Sequence, residues 1–204
     1  MRCFRLAVLF VIALAPNSLG AAPLAVDYVD PTTGWEWADL TQSTSLTWNQ
    51  VDSVCAQDGL TPCSANLGAV ELAGWIWATS AQVADLFAAS TDLTPAQLAD
   101  NDEVQSSSSW APQFLALFSA TLTDPTLSYV SGWTANSIPP VSGGLALMLD
   151  RSGAGDDRAV LGPNTKTFSS PHNGVWLHRP ATVPEPGLLA LLGLGVFLAR
   201  RSRR

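Results

Sequence analysis

The sequence predicts an α+β domain: an antiparallel sheet carrying two to four helices. Three observations lead there. Helix-start signatures crowd the first half, with Thr47 three residues before Gln50, Thr79 three before Gln82, and Thr94 directly before Pro95. Short apolar runs punctuated by Gly, Pro and Asn fill the second half. Tryptophan-bearing strand patterns stand near both ends of the domain, at Trp35 to Trp37 and at Trp176. Helices early, strands late and a strand at each end fit helices packed on one antiparallel sheet.

Taken in order, the chain opens on Arg2 and Arg5, followed by the apolar run 6–15 and a break at Pro16-Asn17-Ser18. Gly20, Ala21 and Ala22 offer small-residue cleavage points, so residues 1–22 read as a secretory signal peptide, with its exact cut left open. Asp30-Pro31 marks a turn, and a short strand follows over 35–40. A helix begins after Thr47, with Trp48, Val51 and Val54 or Cys55 on one face. Residues 71–78 read as a turn and a buried strand, and the next helix turns Val83, Leu86 and Phe87 inward. Pro95 suits the first turn of a shorter helix. The acidic, serine-rich stretch 101–109 reads as an exposed loop. Trp110, Phe114, Leu117, Phe118 and Leu122 recur at helical spacing. Strands are expected over 127–133, 144–149, 158–161 and 175–178.

The chain closes on three parts. Val183, Pro184, Glu185 and Pro186 form a segment in which two prolines bar a helix and leave extended backbone. Residues 187–199 are apolar, and Arg200, Arg201, Arg203 and Arg204 follow. The apolar run can enter a bilayer, while the arginines stay on the cytoplasmic side. This tripartite tail over 183–204 resembles the PEP-CTERM sorting signal of Gram-negative bacteria. The resemblance implies export through the inner membrane by the Sec machinery and transient anchoring by the C-terminal helix. Recognition and processing by a membrane-embedded exosortase would follow, with delivery to the cell surface or extracellular matrix. Carriers of such tails are often associated with exopolysaccharide and biofilm. One departure is length: the run from 183 to 199 is shorter than the ~20 residues of a full span.

Residues 23–182 remain as one exported domain, long enough for a single core. The whole chain carries a net charge of −7, with ten basic residues against seventeen acidic. Between 23 and 182 the basic residues are Arg151, Arg158, Lys166 and Arg179, so the domain itself is strongly acidic. That balance excludes nucleic acid as a partner, since such binding needs a basic footprint. Cys55 and Cys63 enclose a polar turn with Gly59 and Pro62, which in an oxidising compartment points to a disulfide. Their spacing is not that of a Cys-x-x-Cys redox pair.

The segments 34–51 (GWEWADLTQSTSLTWNQV), 71–87 (ELAGWIWATSAQVADLF) and 173–180 (NGVWLHRP) together resemble a recurring exported PEP-CTERM domain. They also bear a distant likeness to bacterial C-type-lectin-like domains. The likeness implies a fold in which the first and last strands pair. Ile76 stands where those domains carry arginine.

Candidate chemistry is sparse. His178 reads as a surface or sheet-edge histidine and His172 as a loop residue. No Gly-x-Ser-x-Gly supports a serine triad, and no His/Cys clustering supports zinc. Asp100, Asp102 and Glu103, or Asp156 and Asp157, could pair as glycosidase acids. Asp150, Asp156 and Asp157 flank a glycine-bearing turn and form a weak calcium candidate; no other cofactor is expected. Eight tryptophans are many for this length. Most are expected in the core, with Trp110 and Trp133, beside polar loops, as the exposed, ligand-binding ones. The expected function is non-catalytic, with binding of matrix polysaccharide. The alternative is an exported hydrolase acting on such polymers.

Overall fold

The computed structural model describes residues 21–91, 93–98, 103–106, 110–151 and 157–181. Nearly all of the signal-peptide segment (1–20) lies outside the described residues. So does the whole sorting tail, with Val183 to Pro186 and the four C-terminal arginines.

Two sheets organise the described residues. The first contains β1 (Val26–Val29), β2 (Trp35–Ala38), β3 (Ile76–Trp77) and β10 (Leu177–Pro180), ordered β1-β2-β10-β3. The second contains β4 (Glu103–Ser106), β5 (Leu122–Thr123), β6 (Ser128–Ile138), β7 (Ser142–Asp150) and β8 (Asp157–Thr165), ordered β4-β8-β7-β6-β5. These strand neighbours are antiparallel, and the short β9 (Gly174–Val175) adds a parallel pairing to β6. Three α-helices accompany them: α1 (Trp48–Asp52), α2 (Ser80–Ala89) and α3 (Trp110–Leu115). Both expected capping boxes form. Thr47 and Gln50 close the start of α1, and Thr79 and Gln82 close the start of α2. Such a cap is worth ~1 kcal/mol.

Neighbouring positions on one strand face opposite ways, and here the centre of the first sheet meets a core on each face. Trp37 and Trp176 enter one core with Phe87, Phe114, Phe118 and Met148. Ala38 and Leu177 enter the other with Trp48, Trp75, Trp77 and Trp133. Close packing sets local sequence in this second core: a side chain at Gly143 would collide with the Trp48 ring. Cys55 and Cys63 are joined, with an S–S distance of 2.02 Å. Their loop docks on α2 through a 2.9 Å hydrogen bond from Gln82 Nε2 to the Gly59 carbonyl.

Four expectations change. There are two sheets rather than one, because the β2–β10 pair is buried on both faces and cannot share its layer with β6–β8. The stretch 101–109 contains β4, which pairs along β8 from Glu103↔Val160 to Ser106↔Asp157. The helix from Trp110 ends at Leu115, since Leu122 is held in β5 opposite Tyr129. β1, unforeseen, pairs with β2 and forms one edge of its sheet.

Candidate functional site

Seven of the eight tryptophans are buried, each 2% exposed or less. This corrects the expectation for Trp110 and Trp133. Trp110 begins α3 and packs with Phe114 in the first core. Trp133 is 0% exposed, and its indole N–H donates to the Leu46 carbonyl at 2.9 Å. Neither ring can stack on a ligand from solvent. Nearness to polar loops in sequence misled here, because Trp133 turns into the core that holds Trp48, Trp75 and Trp77.

The half-buried exception is Trp35, the first residue of β2. It lies in a cleft of about 160 Å³ between the β1–β2 turn and α2, lined by Asp30, Thr33, Trp35, Trp37, Gln82 and Asp85 among others. The turn is built by Asp30. Its carboxylate accepts from the Thr32 amide at 2.8 Å and from the Thr33 hydroxyl at 2.6 Å. Its carbonyl accepts from Gly34 N–H at 2.8 Å, and Gly34 takes a φ of +70°, which glycine adopts without steric cost. The opposite wall is α2, which carries Gln82 and the exposed Asp85.

Behind Trp35 lies His178. It sits opposite Trp37 on β10, and its ring stacks on Trp35 with centroids 4.1 Å apart and planes 16° apart. The residue is 1% exposed, and neither ring nitrogen has a hydrogen-bond partner. Burial pushes its pKa down to about 4, so the ring is neutral at pH 7. The sheet-edge reading of His178 is thus overturned: β10 lies between β2 and β3, and the residue facing away from Leu177 meets a second core rather than water. Trp37 Nε1, a neighbour of the same ring, is also buried without a partner.

On the other face of this sheet, Arg179 Nε pairs with Glu36 Oε2 at 2.8 Å, and its guanidinium lies 4.2 Å from the Trp75 ring. The strand then ends, and Ala181 N–H donates to the Gly34 carbonyl at 2.8 Å. The described chain therefore leaves the domain at the turn that forms the cleft.

The other candidates fall elsewhere. Asp150 and Asp157 face each other across the start of the β7–β8 connection, while Asp156 lies outside the described residues. Asp157 is buried, and its Oδ2 accepts from the Ala111 amide at 3.1 Å, capping α3. Burial, then the charge of Asp150, raises its pKa. No group of three metal-ligating side chains occurs among the described residues. Of the proposed acid cluster, Asp100 and Asp102 lie outside the described residues. His172 is a loop residue, its Nδ1 3.2 Å from the Thr121 carbonyl. Sequence reasoning missed Trp35, Asp30 and Asp85 as a group. One signal could have found them: a tryptophan at the first position of a strand, beside an Asp-Pro turn, has only one side to pack against.

Fold and site together describe, among the described residues, a two-sheet α+β domain with a disulfide-closed loop and an aromatic cleft, followed in sequence by a C-terminal address. That address is explicit: residues 182–204 match the family model described as the PEP-CTERM protein-sorting motif. The chain carries a PEP-CTERM sorting signal, which marks it for export and for processing at the membrane by an exosortase. No curated protein and no solved structure matches the chain. Among the described residues no helix is long and apolar enough to cross a membrane.

Proposed function

We propose that this is a non-catalytic protein of the cell surface or extracellular matrix that binds polysaccharide through the Trp35 cleft. The observation that carries this reading is that Trp35 alone among the eight tryptophans keeps solvent access, and does so inside a cleft with carboxylates. An aromatic face supplies dispersion contact to the apolar face of a sugar ring. Asp85 and the Thr33 hydroxyl can bond sugar hydroxyls. The sorting signal supports a matrix setting. A non-catalytic role is supported by the commitment of Asp30 to its turn, which leaves Asp85 without a second free carboxylate in the cleft. The likeness to C-type-lectin-like domains belongs to the same proposal. Its support is that the Trp35 strand pairs with the closing strand, Pro180↔Trp35 to His178↔Trp37.

The test compares wild type, a variant with Pro184, Glu185 and Pro186 changed to alanine, and Trp35→Ala. Each is followed by intact mass, cell fraction and retention on exopolysaccharide from the producing cells. Wild type should be released without its tail and retained. The motif variant should stay full length in the membrane, and Trp35→Ala should be released but not retained. Retention of Trp35→Ala at the wild-type level would overturn the cleft as the binding site.

A further inference from the structure

This inference rests on the carbohydrate reading above and names the kind of sugar. The ionisable lining of the cleft is acidic, Asp30 and Asp85, with no Lys, Arg or His among the lining residues. The electron-rich face of an indole attracts cations, and the molecule uses that contact twice elsewhere. Lys166 Nζ lies 4.2 Å from the Trp48 ring centroid, and Arg179 Cζ lies 4.2 Å from that of Trp75. Those two tryptophans are buried and covered by the chain's own cations. Trp35 is half-exposed, and its charged neighbours in the cleft are carboxylates.

The surroundings agree in sign. The ring stacked behind Trp35 is a neutral imidazole, so no positive charge opposes a cation arriving at the front. The domain as a whole is strongly acidic, which raises the local concentration of cationic polymers and speeds encounter. A uronic acid would meet like charge at Asp85. A neutral or N-acetylated sugar could use the Trp35 face but would cover the carboxylate without offering it a charged partner, at a desolvation cost.

We propose that the Trp35 cleft takes a cationic amino sugar, a polysaccharide unit with a free, protonated amine, stacked on Trp35 and neutralised by Asp85 with Asp30 behind it. The full chain in detergent is titrated calorimetrically at pH 6 with three tetramers: β-1,4-linked glucosamine, its N-acetylated form and the corresponding glucose oligomer. The glucosamine tetramer is expected to bind at least tenfold tighter than the other two. Asp85→Asn should remove that preference, and Trp35→Ala should remove binding of all three. Trp35→Tyr, which keeps an aromatic face, should retain binding and so separates a lost platform from a lost fold. Equal or tighter binding of the N-acetylated or glucose tetramer, abolished by Trp35→Ala, would overturn the amino-sugar inference and leave the carbohydrate reading standing. A preference for the amine that survives Trp35→Ala would reduce it to general charge attraction and overturn the site. Absence of binding by any tetramer would overturn both readings.

Discussion

The two cores on either face of the β1-β2-β10-β3 sheet are built by different rules. In the core around Trp77, three indole N–H groups reach backbone carbonyls: Trp48 to Thr134 at 3.0 Å, Trp77 to Trp133 at 3.1 Å and Trp133 to Leu46 at 2.9 Å. The Cys55–Cys63 bridge belongs to the same core. In the core around Trp176, that residue's N–H reaches Ala146 at 3.1 Å, but Trp37 Nε1, Trp110 Nε1 and both His178 nitrogens find no partner. A buried polar group without a partner costs ~1–3 kcal/mol, so this second arrangement gives up stability. It is also the core that opens into the cleft. One side of the sheet specifies the fold, and the other holds the proposed binding platform.

The largest test of this contrast is truncation. Trp133→Ala should cost about 3–5 kcal/mol of unfolding free energy. Trp35→Ala, at a half-exposed site, should cost a fraction of that while removing ligand binding. Denaturant titration of both variants at one pH measures the gap. Next in size is the disulfide. Opening the Cys55–Cys63 loop, by reduction or by a double alanine variant, should cost about 2–3 kcal/mol on the chain-entropy estimate. The same change should loosen the start of α2, since Gln82 bonds Gly59 within that loop.

Acid should act on the opposite core. His178 has a folded pKa of about 4, below the 6.5 of a free imidazole. The unfolded chain therefore binds the proton first. The stability tied to this group is complete above pH 6.5 and is lost as pH falls from there through 4, by about 3 kcal/mol. Asp27 and Asp157, whose pKa values burial raises, work in the other direction at low pH. His178→Phe should flatten the decline, and thermal melts from pH 7 to pH 4 will register it. An unchanged slope in that variant would place the acid sensitivity elsewhere. The smallest contrast is chemical. Trp48→Phe removes the indole bond to the Thr134 carbonyl, whereas Trp37→Phe removes an N–H that bonds nothing. The first should be the more costly by ~1–2 kcal/mol.

Much of the local structure was legible because it depends on near neighbours. The Thr47 and Thr79 capping boxes, the Cys55–Cys63 pair and the positions of β6, β7 and β8 follow from spacing within a few residues. The sorting tail was legible for the same reason. The number of sheets was not, because it depends on which strands meet across more than a hundred residues, as β2 meets β10. The tryptophan assignments failed in an instructive way. Alternation correctly put Trp75 and Trp77 in one core, but it could not say that Trp110 and Trp133 would be covered or that Trp35 would keep part of its surface exposed. The Asp-Pro turn before Trp35 is the local hint, but how far a strand's first residue is covered is decided by what packs over it, here α2, which comes from a distant part of the chain.

The most direct test of the central claim is limited oxidation of the folded protein's tryptophans with N-bromosuccinimide, mapped by peptide mass. A first modification confined to Trp35, and suppressed by a bound oligosaccharide, is the predicted result. Modification of Trp110 or Trp133 ahead of Trp35, or a Trp35 reactivity indifferent to sugar, would contradict the account.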